Sequence, residues 1–172
     1  TEMAKAYCDG FQTTEGAPGG WGRDSVTAMV KHWPGGGTGE GGRDAHYAYG
    51  KYNVYPGDNF QEHLKPFTGG ALALDGPTGA AGAVMPYYSI SSGQDLKDGA
   101  EVGNSYSTYI VKDLLRDEYG YDGVVCTDWD ITGDHTGGVG AFTSRCWGVE
   151  ELPEAERHLR ILMNGVDQFG GN

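Results

Sequence analysis

Apolar and polar positions alternate along this chain with two different periods, and the change of period marks its elements. Residues 1–13 carry a helical spacing. Ser25 to Trp33, with Val26, Ala28, Met29 and Val30, reads as a strand. A glycine-rich loop then runs from Pro34 to Tyr55. Asp58 opens a helix through Phe67, with Gln61 three residues on completing the pattern of a capping box. Leu72 to Leu74 is a short apolar piece, and Asp75-Gly76-Pro77 a turn. Ala80 to Met85 is the second strand, running into Pro86-Tyr87-Tyr88.

Asn104 or Ser105 is expected to cap a third helix reaching Tyr119, with Tyr106, Ile110 and Leu114 on one stripe and Gly120 as its stop. Val124 to Thr127 is the third strand, followed by a glycine-rich loop to Gly148. Pro153 suits the first position of a last helix, whose first turn holds Glu154 and Glu156, and Gly165 ends it. Val166 to Phe169 is a final short strand. Helices between strands predict parallel pairing through crossovers, an α/β fold. Four strands do not close a barrel, which takes roughly 250 residues. The pattern, beginning in a helix and stopping after a strand, is expected to be part of a larger unit.

Composition narrows the function. The 172 residues hold 12 Lys plus Arg against 24 Asp plus Glu, a formal net charge of −12, which disfavours a nucleic-acid partner. No apolar run approaches the roughly 18 residues of a membrane span. The 31 glycines have no period, so they predict tight loops around a folded core. The first residues carry no initiating Met and no signal-peptide pattern. Of the three cysteines, Cys126 lies within a strand as a small buried hydrophobe; Cys8 and Cys146 are either paired or free, free thiols being the expectation for all three.

In parallel α/β folds ligands bind beyond the carboxyl ends of the strands. Here the first strand leads to Lys31-His32, the second to Tyr87-Tyr88 and the third to Asp128-Trp129. A carboxylate beside a flat ring suits a sugar. Two other patterns fail on chemistry. Gly37-Thr38-Gly39-Glu40-Gly41-Gly42 has dinucleotide-loop spacing, but no helix pattern follows and Glu40 would face a pyrophosphate. Asp128-x-Asp130-x-Thr132-Gly133 begins like a calcium loop, yet its twelfth position is Val139 instead of a bidentate Glu. Asp117, Glu118, Asp122, Glu150, Glu151, Glu154 and Glu156 are expected to be solvated surface charges.

Lys31-His32-Trp33-Pro34-Gly35-Gly36-Gly37 resembles the Lys-His-Phe-x-Gly stretch of glycoside hydrolase family 3. Ala83-Val84-Met85-Pro86-Tyr87-Tyr88 is similar to that family's Val-Met-x-x-Tyr segment, and Tyr121 to Trp129 resembles its Gly-Phe-Asp-Gly-Val-Val-x-Ser-Asp-Trp signature. Gly165 to Gly171 fits the last strand region of the same domain. The resemblance implies that residues 1–172 are part of an N-terminal (β/α)₈ barrel, its second, nucleophile-bearing half. It implies a retaining, exo-acting, β-glucosidase-like hydrolase in which Asp128 forms a covalent glycosyl-enzyme. Lys31, His32, Tyr88 (or its neighbour Tyr87) and Trp129 would contact the sugar. The substrate would be a β-linked oligosaccharide or glycoside, with no cofactor, and an extracellular or periplasmic setting would suit it.

In most of the family the acid/base is a glutamate of a later domain, which no residue here matches. One branch, which includes β-N-acetylhexosaminidases, uses an Asp-x-His pair after Lys-His. Asp44-Ala45-His46 lies on that loop, although Gly36 stands where that branch has a histidine and the spacing to Asp44 is longer. Asp44, His46 and Arg43 are therefore expected chiefly to order the loop or its rim. The alternatives are a β-xylosidase, a β-N-acetylhexosaminidase or phosphorylase working through Asp44 and His46, or a sugar-binding fragment without catalysis. The isolated segment is expected to be unstable or to associate, and to hydrolyse little by itself.

Overall fold

A computed structural model describes residues 1–97, 99–134 and 144–171. Its elements are α1 (Glu2–Gln12), β1 (Met29–Trp33), β2 (Tyr52–Asn53), α2 (Phe60–Pro66), β3 (Ala83–Pro86), β4 (Ile90–Ser91), α3 (Tyr109–Glu118, wound as a π-helix), β5 (Val124–Val125) and α4 (Glu154–Met163). The main sheet has the order β1-β3-β5, with both pairings parallel. A single parallel bridge, Cys126 with Gln168, continues it on the far side of β5. Successive strands are thus neighbours with a helix between them, the arrangement of an arc of a β/α barrel.

β3 is buried throughout, whereas β1 and β5 carry exposed residues. Val84 and Val125 are fully buried with Trp33, Ile110, Leu114 and Ile161, between sheet and helices. The Trp33 indole, 0% exposed, donates from Nε1 to the Ile110 carbonyl at 2.9 Å and meets Phe67 edge-on at 5.3 Å. Met29, Lys31 and Val124 are exposed, and the register of β1 against β3 shifts between Lys31 and Trp33. Below β5, Arg116 ties the chain together, donating to the carbonyls of Tyr121, Gly123 and Gly165 and pairing with Asp167 at 2.6 Å. Asp167 in turn accepts the Val125 N–H at 2.8 Å. Gly123 has to be glycine: a Cβ there would lie 2.3 Å from the Tyr121 hydroxyl and 2.9 Å from the Gly82 carbonyl oxygen.

Several expected boundaries move. The first strand starts at Met29, not Ser25, because Ser25 closes a turn through its hydroxyl, which accepts the Gly22 N–H at 2.8 Å. The 34–55 segment is not one loop. It holds short 3₁₀ turns at Glu40–Gly42 and Ala48–Gly50, then β2, which pairs in parallel with β4. Strands of two residues leave no alternation to read. Asp58 does not cap α2: it sits at φ 56, Asn59 takes the cap position, and no side chain bonds there. Pro66 ends α2 and the chain widens into a π-helical turn over Phe67–Ala71, since proline has no N–H to continue the ladder.

Neither Asn104 nor Ser105 caps the third helix. They begin a separate 3₁₀ turn, Asn104–Tyr106, in which the Asn104 side chain is buried against Ser91 and Ser89. Thr108 takes the cap position without a side-chain bond, and one residue earlier the Ser107 hydroxyl accepts the Ile110 N–H at 3.2 Å. Tyr106 therefore lies outside the α3 stripe, and its hydroxyl donates to the Ile131 carbonyl. Pro153, with ψ 149, is the cap residue of α4 and not its first helical residue. The final strand over 166–169 reduces to the Gln168 bridge.

The three cysteines are buried free thiols: Cys8 packs with Ala71 and Ala81, and Cys146 lies in the main core. All seven surface carboxylates singled out above are exposed. Val139, which excluded the calcium loop, lies outside the described residues. No described helix is long and apolar enough to cross a membrane.

Candidate active site

The strand ends converge as the parallel order demands. Asp128 follows the Cys126 bridge at the end of β5 and is 7% exposed. Its Oδ1 accepts two hydrogen bonds, from the Tyr88 hydroxyl at 2.9 Å and from the Trp129 N–H at 2.8 Å. Its Oδ2 faces Nε2 of His32, at 3.3 Å. His32 comes from the end of β1 and Tyr88 from just beyond β3, so three successive strands each send one group to one carboxylate.

Burial alone would push the Asp128 carboxyl up. The contacts of His32, the Trp129 N–H and the Tyr88 hydroxyl outweigh it and hold the group below the ordinary carboxylate range. One carboxylate oxygen thus accepts two hydrogen bonds, while the other, among the described residues, makes a single longer contact. The partner is affected in the opposite sense: burial, reinforced by the adjacent Asp128 charge, raises the Tyr88 phenol, so it remains a donor.

Around this centre the rings form a wall. His32 lies against Tyr87, with centroids 4.9 Å apart, and Tyr87 against Tyr88 at 6.0 Å. Trp129 is half exposed, and Gly170 and Gly171 lie so close to its indole that a Cβ on either would crowd it. The expected loop pair also arrives here. His46 Nδ1 is 2.7 Å from Oδ1 of Asp44, which also accepts the His46 N–H at 2.9 Å, and the His46 ring stands edge-on to Tyr88 at 4.9 Å. The two His46 bonds hold the Asp44 carboxyl below its ordinary value.

Asp128, His32, Tyr88 and Trp129 are thus brought together, with Asp44 and His46 against their edge. Lys31 is not brought into this cluster: it is exposed and lines a 440 Å³ surface hollow with Met29 and residues of α1 such as Tyr7 and Phe11. Arg43 pairs with Glu40, at 3.9 Å on the surface. Sequence reasoning missed Arg145. Its guanidinium carbon lies 5.0 Å from the Tyr88 ring centroid and its Nη1 3.0 Å from Asp130. No motif or period marks it; an Arg beside the apolar Cys146-Trp147 pair was the one available sign.

Residues 1–167 match the family described as the glycosyl hydrolase family 3 N-terminal domain. The chain belongs to glycosyl hydrolase family 3. Within this family it is 45% identical over 171 residues to β-glucosidase C of Emericella nidulans, covering 99% of this chain and 26% of that protein. It is 38% identical over 181 residues to a periplasmic β-glucosidase/β-xylosidase of Dickeya chrysanthemi, covering 99% and 26%. Among solved structures, a β-glucosidase from Erythrobacter marinus superposes with a TM-score of 0.63 at 24% identity, over 98% of this chain and 19% of that one. That likeness supports the shared α/β fold. The chain spans about a quarter of the length of the curated relatives it matches.

Proposed function

We propose that this chain supplies the nucleophile and much of the −1 sugar subsite of a retaining, exo-acting β-glycosidase, with β-glucosides as the first substrate class. The observation that carries the reading is Asp128: buried, yet held ionised by donors from three successive strand ends. In the proposed step Oδ2 attacks the anomeric carbon, the bond from that carbon to the leaving oxygen breaks, and a general acid protonates that oxygen. Water then attacks the anomeric carbon, giving its proton to the same acid/base group, and the ester bond breaks to return the carboxylate. Family membership and the named activities of the β-glucosidase and β-glucosidase/β-xylosidase relatives favour this class, with xylosides as the nearest alternative. His32 and Tyr87 would line the sugar, and Trp129 would form an apolar wall for one of its faces.

Labelling tests the reading. A 2-deoxy-2-fluoro-β-glucoside with a good leaving group should add one sugar to the full-length protein, at Asp128 by peptide mapping. Unlabelled Asp128 under conditions of turnover overturns it, as would the behaviour of a sugar-binding fragment without chemistry.

A second reading concerns the acid/base. The bonded Asp44–His46 pair, with the His46 ring against Tyr88, favours His46 as the proton donor, as the Asp-x-His branch would have it. The alternative is a carboxyl group about 5–5.5 Å from the nucleophile.

A further inference from the structure

Arg145 is 4% exposed, beside the site but outside every motif. A cation so deep is stable only when its charge is matched. Nη1 donates to Oδ2 of Asp130 at 3.0 Å, and the Arg145 main-chain N–H donates to the Asp130 carbonyl at 2.8 Å. Asp130 lies two residues beyond the nucleophile and holds φ 57, a left-handed conformation uncommon outside glycine. The two-point clip thus fixes the turn that leads out of the nucleophile segment.

The guanidinium also lies 5.0 Å from the centroid of the Tyr88 ring, within cation–π range. The same ring is touched edge-on by His46 and more loosely by Tyr87. Tyr88 is the residue that donates to Oδ1 of Asp128. One side chain therefore bridges the turn after the nucleophile and the phenol that orients it.

We propose that Arg145 is a positioning residue for glycosylation. By fixing the Tyr88 ring relative to the Asp130 turn, it keeps the phenol on Oδ1 of Asp128 and so leaves Oδ2 to attack. A flat, delocalised cation suits this place, because lysine offers a point charge that does not lie along a ring. The proposal rests on Asp128 being the nucleophile.

The test is a double-mutant cycle on inactivation by a 2-deoxy-2-fluoro-β-glucoside in the full-length protein, with kinact and KI separated, for wild type, Arg145→Met, Tyr88→Phe and the double variant. Arg145→Met should lower kinact about 10-fold, the scale of one hydrogen bond to a charged group, with KI within about twofold. In the Tyr88→Phe background the same change should cost less than about twofold, because a residue acting through Tyr88 has nothing left to position. Arg145→Lys should fall between wild type and Arg145→Met, and it takes the place of Arg145→Met in the cycle if that variant does not fold. Fully additive losses, or a change confined to KI, overturn the proposal while wild-type labelling at Asp128 stands. Absence of that labelling overturns the nucleophile reading, and the role of Arg145 with it.

Discussion

The hydroxyl of Tyr88 donates to Oδ1 of Asp128 at 2.9 Å, and that oxygen also accepts the Trp129 N–H at 2.8 Å. The asymmetry matters for chemistry. Oδ1 is anchored, while among the described residues Oδ2 has one partner, His32 at 3.3 Å. Two residues 40 positions apart in the chain thereby set which oxygen of the carboxylate is free.

Tyr88→Phe is expected to slow glycosylation by about 10–100-fold, the worth of a hydrogen bond to a charged group. The pH dependence has a definite sign. Asp128 is held below its ordinary value partly by this donor, so its loss raises the carboxyl. The acidic limb of kcat/KM should therefore move to higher pH in the variant. A limb that stays in place, or moves to lower pH, contradicts the assignment of that limb to Asp128.

His46→Ala separates the two acid/base readings. With His46 as the acid, hydrolysis of a poor alkyl leaving group should fall about 10²–10⁴-fold. A dinitrophenyl glycoside, which needs no protonation, should be nearly unaffected in the same step. If another carboxyl is the acid, both substrates should change alike and little.

Trp33→Ala tests the frame behind the site. Trp33 is fully buried, donates to Ile110 and packs on Phe67. Its loss should destabilise by about 3–5 kcal/mol in equilibrium unfolding. Because His32 is the adjacent residue, labelling of Asp128 should fall along with stability. A variant with unchanged unfolding midpoint would remove Trp33 from the core.

Residues 1–172 prepared alone should self-associate. Met29, Val124, Val26 and Phe11 are 41–57% exposed, and among the described residues β1 has one partner in its sheet, leaving an edge open. Sedimentation velocity should show concentration-dependent species, and Val124→Lys should reduce them. A monomer at every concentration would contradict the expectation.

The strand cores, the order of helices and strands, and the convergence of strand ends were legible in the sequence because each depends on local pattern. The apolar run between Gly123 and Asp128 reads as a strand meeting a functional rim, though Val124 proves exposed and Val125 alone of the pair is buried, and the parallel order follows from helices between strands. The short 3₁₀ turns and the β2–β4 pair were not legible: their geometry is set by side-chain bonds, such as Ser91 with Asn104, which join distant positions. Caps failed for a related reason. Asp58 and Asn104 are good capping residues, but Asn104 is bound elsewhere and Asp58 adopts φ 56.

The sequence by itself determined the types of group present at the rim: a carboxylate, a histidine and two tyrosines, each set beside an apolar run. Tertiary structure alone decided their partners. It put Tyr88 on Oδ1 and His32 near Oδ2, turned Lys31 away onto the exposed face, and brought the unmarked Arg145 over the Tyr88 ring. The physical reason is that residue type and local pattern are written along the chain, whereas a hydrogen bond or ring contact requires ångström-scale placement that only the packed sheet supplies.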